Sequence, residues 1–144
     1  MNIAEVMTQN PEVIRPDTTI KQAAETMKKL DVGLLPVCDG ERLIGMLSDR
    51  DITIRATAAG LDPAKTRAEQ IMTKEVAYCF EDKEVKEAVR IMEEKQIRRL
   101  PIVNHDKKLV GVVSLGDIAV RTGNQRLAGK AVREVSEPPH SKHH

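Results

Sequence analysis

The sequence predicts an α+β fold built from two copies of one strand-helix-strand-strand-helix unit, packed sheet to sheet. Three observations predict it. The chain matches itself at a nearly fixed offset. Each copy switches from a helical apolar period to short apolar runs and back. And each copy leaves its last strand through a serine followed three positions later by an aspartate, in "GMLSDRDI" at 45–52 and "GVVSLGDI" at 111–118.

At an offset of 65 residues, Met7 meets Met72, Thr8 meets Thr73, Asp17 meets Asp82, Lys21 meets Lys86, Ala23 meets Ala88, Met27 meets Met92, Leu35 meets Leu100 and Pro36 meets Pro101. One extra residue in the second copy's turn, "NHDKK" at 104–108 against "DGER" at 39–42, moves the offset to 66. Leu43, Gly45, Ser48, Asp51, Ile52 and Arg55 then meet Leu109, Gly111, Ser114, Asp117, Ile118 and Arg121. Scattered identities at one offset, with the insertion confined to a turn, mark two copies of a supersecondary unit. The break falls near "GLDPAK" at 60–65, giving repeats at 1–61 and 62–127.

Taken in order, each copy begins with an extended piece, "EVIRP" or "EVAYCF". An amphipathic helix follows, with Ile20, Ala23, Ala24, Met27 and Leu30 on one face in the first copy and Val85, Ala88, Val89 and Met92 in the second. "LLPVC" and "RLPIV" are short apolar strands, and "LIGML" and "LVGVV" return from polar turns to make hairpins. "DRDITIRATAAG" and "LGDIAVRTGNQRL" resume helical spacing. One such unit exposes an apolar sheet face, and two can cover each other. From about Ala128 to His144 periodicity fades and two prolines stand together, so this tail is expected to be disordered. Its His140, His143 and His144 fit a frayed end or an expression remnant better than a metal site.

The totals narrow the function classes. With 23 Lys+Arg against 22 Asp+Glu there is no global field to draw the molecule onto nucleic acid or an anionic membrane. Tyr78 and Phe80 are the only aromatic rings, too few for a base-stacking platform. No stretch approaches the ~18 apolar residues of a membrane span and no secretory leader opens the chain. Cys38 and Cys79 sit among apolar neighbours without metal-ligand spacing, as reduced core thiols of a cytoplasmic protein do. Nucleophile-elbow, phosphate-loop, dinucleotide and zinc-protease motifs are all missing, and His105 lies in a polar turn without a partner nucleophile, so no enzyme is predicted.

Chemistry therefore concentrates at the two corners. Ser48 with Asp51, and Ser114 with Asp117, have capping-box spacing, in which hydroxyl and carboxylate close the first turn of a helix and need no ligand. The same geometry presents amides and a dipole end to a phosphate, and a carboxylate to the hydroxyls of a ribose. Spacing alone leaves both readings open. Arg98 and Arg99 add weight to the second, because paired guanidiniums beside a helix start suit a phosphate. Arg50, inside "SDRD", is a third cation with an equally plain solvated role. The first copy has Gly33 and Leu34 where the second has the arginines.

These residues resemble the tandem cystathionine beta-synthase (CBS) domain pair, or Bateman module. The similarity covers residues 1–127 and rests on "VMT", the "LLPV" and "RLPI" strands and the doubled G-x-x-S-x-x-D-I junction. The resemblance implies two repeats about a pseudo-twofold axis with a cleft on either side, where family members bind AMP, ADP or ATP, and some bind S-adenosylmethionine. It implies ribose contacts from Asp51 and Asp117, hydroxyl contacts from Ser48 and Ser114, and phosphate contacts from Arg98 and Arg99. It places adenine among Val13, Ile14, Leu35 and Pro36 in one cleft and Tyr78, Leu100 and Pro101 in the other. The missing arginines of the first copy imply unequal clefts. It further implies a ligand rather than a cofactor, a disc-like homodimer, and an unnamed regulated partner; a ligand-free dimerisation scaffold is the rival from another class.

Overall fold

The computed structural model describes residues 1–136. Its elements are β1 (Thr8–Gln9), α1 (Ile20–Leu30), β2 (Leu34–Asp39), β3 (Arg42–Ser48), α2 (Asp49–Asp51) running into a π-helical segment (Ile52–Thr57), α3 (Ala68–Ile71), β4 (Cys79–Phe80), α4 (Val85–Lys95), β5 (Arg99–Val103), β6 (Leu109–Ser114), α5 (Leu115–Thr122) and α6 (Gln125–Ser136). The predicted mixture of helix and strand is present in both copies, but the extended piece that precedes the amphipathic helix is a strand only in the second; in the first, "EVIRP" contributes a single bridge at Ile14.

The chain divides into two compact units, and the repeats and the units cut it at different places. One unit is residues 12–76; the other joins Met1–Pro11 to the chain from Ala77 onward. In the discontinuous unit the strand order is β1-β6-β5-β4, with Thr8 opposite Val112 and Cys79 running parallel to Ile102. The continuous unit repeats this plan around the β2-β3 hairpin. Thr73 bridges Met46 on one side and Ile14 bridges Val37 on the other. The Met-Thr segment that opens each repeat is thus paired with the hairpin of the other repeat.

Each unit has its own core. Ile14, Ile20, Ala23, Met27, Leu35, Val37, Leu47 and Ile71 form one; Ile3, Val6, Met92, Leu100, Ile102, Val113 and Ile118 belong to the other. Ile20, Ala23 and Met27 of α1 are buried as the helical period predicts, whereas Ala24 and Leu30, at the margins of that face, are exposed. A complete capping box starts α1, with Thr19 Oγ1 accepting from the Gln22 amide and Gln22 Oε1 from the Thr19 amide. α1 and α4 both end in a left-handed residue, Asp31 (φ 55°) and Gln96 (φ 54°).

The chain after Ala128 differs from expectation. α6 continues to Ser136, and Ala131 and Val135 are buried in the core of the discontinuous unit. The i, i+4 placement of these two small apolar residues is enough to seat a helix on α4 and α5, and it is too sparse to stand out as a period. Asn124 caps α6 by accepting from the Leu127 amide at 3.0 Å. The three terminal histidines lie outside the described residues.

Candidate functional site

Both corners close as capping boxes. Ser48 Oγ accepts from the Asp51 amide at 3.0 Å while Asp51 Oδ2 accepts from the Ser48 amide at 2.9 Å. At the second corner the corresponding Ser114–Asp117 distances are 3.0 Å and 3.0 Å. The fold-stabilising reading is therefore satisfied. It leaves the other reading intact, because each cap uses one lone pair of the hydroxyl and one carboxylate oxygen. The hydroxyl proton and Oδ1 of the aspartate remain outside the cap.

The surroundings of the two corners differ in charge. At the first corner Asp51 Oδ1 lies 3.7 Å from Arg55 Nε, and the Asp51 side chain is only 12 % exposed. Gly33 accepts from the Asp49 amide at 2.9 Å. A Cβ built on Gly33 would come 2.8 Å from Asp49 Oδ2, so the carboxylate of Asp49 occupies the space where a side chain at 33 would begin. At the second corner Arg98 accepts, through its carbonyl, from the Leu115 amide at 3.1 Å, and Arg99 is in register with Ser114. Leu115 and Gly116 stand where the first copy has Asp49 and Arg50. Arg98 and Arg99 flank the second corner on the strand side, where the first has Gly33 and Leu34 and the Asp49 carboxylate, with Arg55 on its helix side. Arg50 is exposed, its amide donating to Asp49 Oδ1 at 2.8 Å.

Arg98 and Arg99 do not act as one fork. Arg99 opens a pleated strand, where successive side chains alternate in direction, and Arg98 Nη2 donates to Ser136 Oγ of α6 at 2.6 Å. Leu35 and Leu100 belong to the two cores, and Pro36 and Pro101 are buried beside them. Ile14 is buried, with its backbone tied to Pro36 and Cys38, while Val13 is exposed. Those two line an open groove of about 420 Å³ with Thr18, Gln22, Thr26 and Lys29; Ser48 and Asp51 are not part of it. Tyr78 sits edge-on to Phe80 at 5.6 Å, with Lys107 Nζ 5.4 Å from its ring centre, and His105 stacks on Phe80 at 4.6 Å while its Nε2 lies 2.8 Å from Asp82 Oδ2.

Two residues that the sequence offered only as repeat identities have a structural task. Arg121 Nη1 donates to the carbonyls of Val6 and Met7, both at 2.9 Å, and Arg55 Nη1 donates to those of Ile71 and Met72 at 3.2 and 3.3 Å. Their recurrence at the same place in each copy, three residues beyond an internal helix position, was the available signal. Among the described residues no cluster of three potential ligands could hold a metal ion, and no helix is long and apolar enough to cross a membrane.

Comparison with known proteins agrees with the doubled architecture. The family model described as CBS domain matches residues 3–56 and 68–121. The CBS domain-containing protein YhcV of Bacillus subtilis is 38% identical over 135 residues, covering 94% of this chain and 95% of that one. The crystal structure of Hypoxic Response Protein I with two coordinated zinc ions superimposes with a TM-score of 0.76 at 37% identity, covering 83% of this chain and 97% of that one. The CBS domain protein PAE2072 of Pyrobaculum aerophilum, complexed with AMP, does so with a TM-score of 0.73 at 28% identity, over 90% and 99% of the two chains.

Proposed function

Since the chain belongs to the CBS domain family, as a regulatory module and not an enzyme, we propose that it binds an adenine nucleotide at its Ser-Asp corners and passes the occupancy to a partner. The observation that carries the reading is the unused chemistry of the second corner. Ser114 keeps a hydroxyl proton and Asp117 a carboxylate oxygen after the cap is closed, and Arg98 and Arg99 stand at the entry to the adjacent strand, which Arg99 begins. A carboxylate accepts from ribose hydroxyls, and guanidiniums take phosphate oxygens. The AMP complex of the PAE2072 relative supports the same ligand class.

The first corner, with Asp49 where the second has Leu115 and no cation at Gly33 and Leu34, is the weaker phosphate site. AMP, with one phosphate, asks least of it; ADP and ATP place more negative charge near Asp49. S-adenosylmethionine carries no phosphate and offers Arg98 and Arg99 only its single carboxylate. A ligand biases a partner only through its different affinity for two states, and self-association is one route for that bias. Ile54 and Val120 occupy equivalent positions in the two repeats and are 49% and 83% exposed, an apolar pair that supports a homodimer. Two buried free thiols, Cys38 and Cys79, fit a reducing, cytoplasmic setting.

Calorimetric titration with AMP, ADP, ATP and S-adenosylmethionine tests the proposal, with light scattering on the same samples to read the assembly. AMP is expected to bind more tightly than about 1 mM, roughly −4 kcal/mol. Asp117→Asn, which keeps an acceptor for the cap, is expected to weaken it by about tenfold or more, in line with loss of a charged hydrogen bond. If none of the four ligands binds below about 1 mM, the corners are caps alone and the scaffold reading replaces this one.

A further inference from the structure

α6 is tethered in a way that bears on Arg98. Gly123 (φ 68°) turns the chain sharply after α5, Asn124 caps the new helix, Ala131 and Val135 seat it, and Ser136 at its far end accepts from Arg98 Nη2 at 2.6 Å. The last carbonyls of a helix carry partial negative charge and lack partners within it. A guanidinium is favoured there. A phosphate drawn to the same guanidinium is not, because it would approach the negative end of the helix dipole.

We propose that α6 is a strap that competes with the ligand phosphate for Arg98, so that docking of α6 and nucleotide binding oppose each other. The inference rests on the nucleotide reading above and adds its regulation. The second corner then has two alternating occupants of one cation, the Ser136 end of α6 and a phosphate. By reciprocity, whatever factor α6 docking takes from nucleotide affinity, nucleotide takes from α6 docking. The movable part is short and hinged: Gly123 and Asn124 alone separate α5 from α6. The first copy has no charged residue at the position equivalent to Arg98, so the device belongs to one corner only.

The test pairs AMP calorimetry with hydrogen exchange of the α6 amides in the full chain. Ser136→Ala is expected to speed exchange across 125–136 without nucleotide and to tighten AMP binding by about threefold or more, the scale of one exposed charged contact. Ser136→Asp, which offers Arg98 a full carboxylate, is expected to weaken AMP by a similar factor. Saturating AMP is expected to speed α6 exchange in the wild-type chain. Wild-type affinity in both variants, with α6 exchange indifferent to AMP, overturns the strap and leaves the nucleotide reading standing. Absence of AMP binding in the wild type and in Ser136→Ala alike removes the nucleotide reading, and the strap with it.

Discussion

Gly45 and Gly111 read in the sequence as part of a junction motif, and their packing shows a stricter reason for them. A Cβ on Gly111 would lie 2.5 Å from Met7 Sδ and 2.9 Å from the Thr8 carbonyl; on Gly45 it would lie 2.5 Å from Met72 Sδ and 3.0 Å from the Thr73 carbonyl. The methionine can swing away, but the strand carbonyl is fixed by the pairing of Thr8 with Val112. Gly111→Ala is expected to cost about 1–3 kcal/mol in denaturant unfolding, the usual toll of forcing atoms into a packed site. The residues Met, Thr and Gly were legible as repeats, while their mutual contact, between residues far apart in the chain (Gly111 with Met7, Gly45 with Met72), was not. His105 shows the opposite case: its polar turn suggests no partner, and its ring is exposed yet stacked on Phe80 and paired with Asp82. The hydrogen bond from His105 holds the Asp82 carboxyl below its ordinary range. A depressed carboxylate contributes stability that is fully present above its unfolded value, near 4, and is lost as pH falls through the lower folded value. Thermal melts from pH 6 down to about pH 2 are therefore expected to bring wild type and Asp82→Asn together at the acid end.

Among the elements, the helices following the corners separate what pattern can and cannot reveal. α5 is an ordinary helix, whereas its counterpart leaves α2 for a π-helical segment, with the Ala58 amide reaching Thr53 and the Leu61 amide reaching Ala56. Both counterparts share helical periodicity, so spacing predicted a helix at each place without distinguishing the winding. Asp31 and Gln96 escaped notice for a related reason, since left-handed helix ends are usually announced by glycine. Ser48, Asp51, Ser114 and Asp117 were placed correctly as corner residues because a cap is a local arrangement, written within four positions. Arg121 belongs to neither class, since its carbonyl partners come from a segment paired at long range. Arg121→Met keeps the stem and removes two charged hydrogen bonds, to Val6 and Met7. A loss of about 2 kcal/mol is expected, read as a lower denaturant midpoint with the slope unchanged.

For the molecule as a whole, the two-copy plan was readable in 144 residues because the repeat is intact, but the division into compact units was not. Sequence repeats report ancestry along the chain; compact units report which surfaces are buried together. Residues 1–11 supply Ile3 and Val6, both fully buried, along with Met7 and strand β1, to a core whose remainder begins at Ala77. Deleting them is expected to remove protection from hydrogen exchange throughout β5, β6 and α4, since three large apolar side chains at about 1.5–3 kcal/mol each approach the whole stability of a small domain. Residues 12–76, whose core draws nothing from that segment, are expected to keep their protection in the same experiment.

The borrowed N-terminal segment also sets a timetable. During synthesis residues 1–11 leave the ribosome well ahead of the strand that receives Thr8, Leu109–Ser114, which is made about a hundred residues later. At ~5–20 residues per second that is a delay of roughly 5–20 s. Residues 12–76 hold every part of their own hairpin and core and are all synthesised within that interval, whereas residues 1–11, apolar and unpaired, must wait for a strand made far behind them.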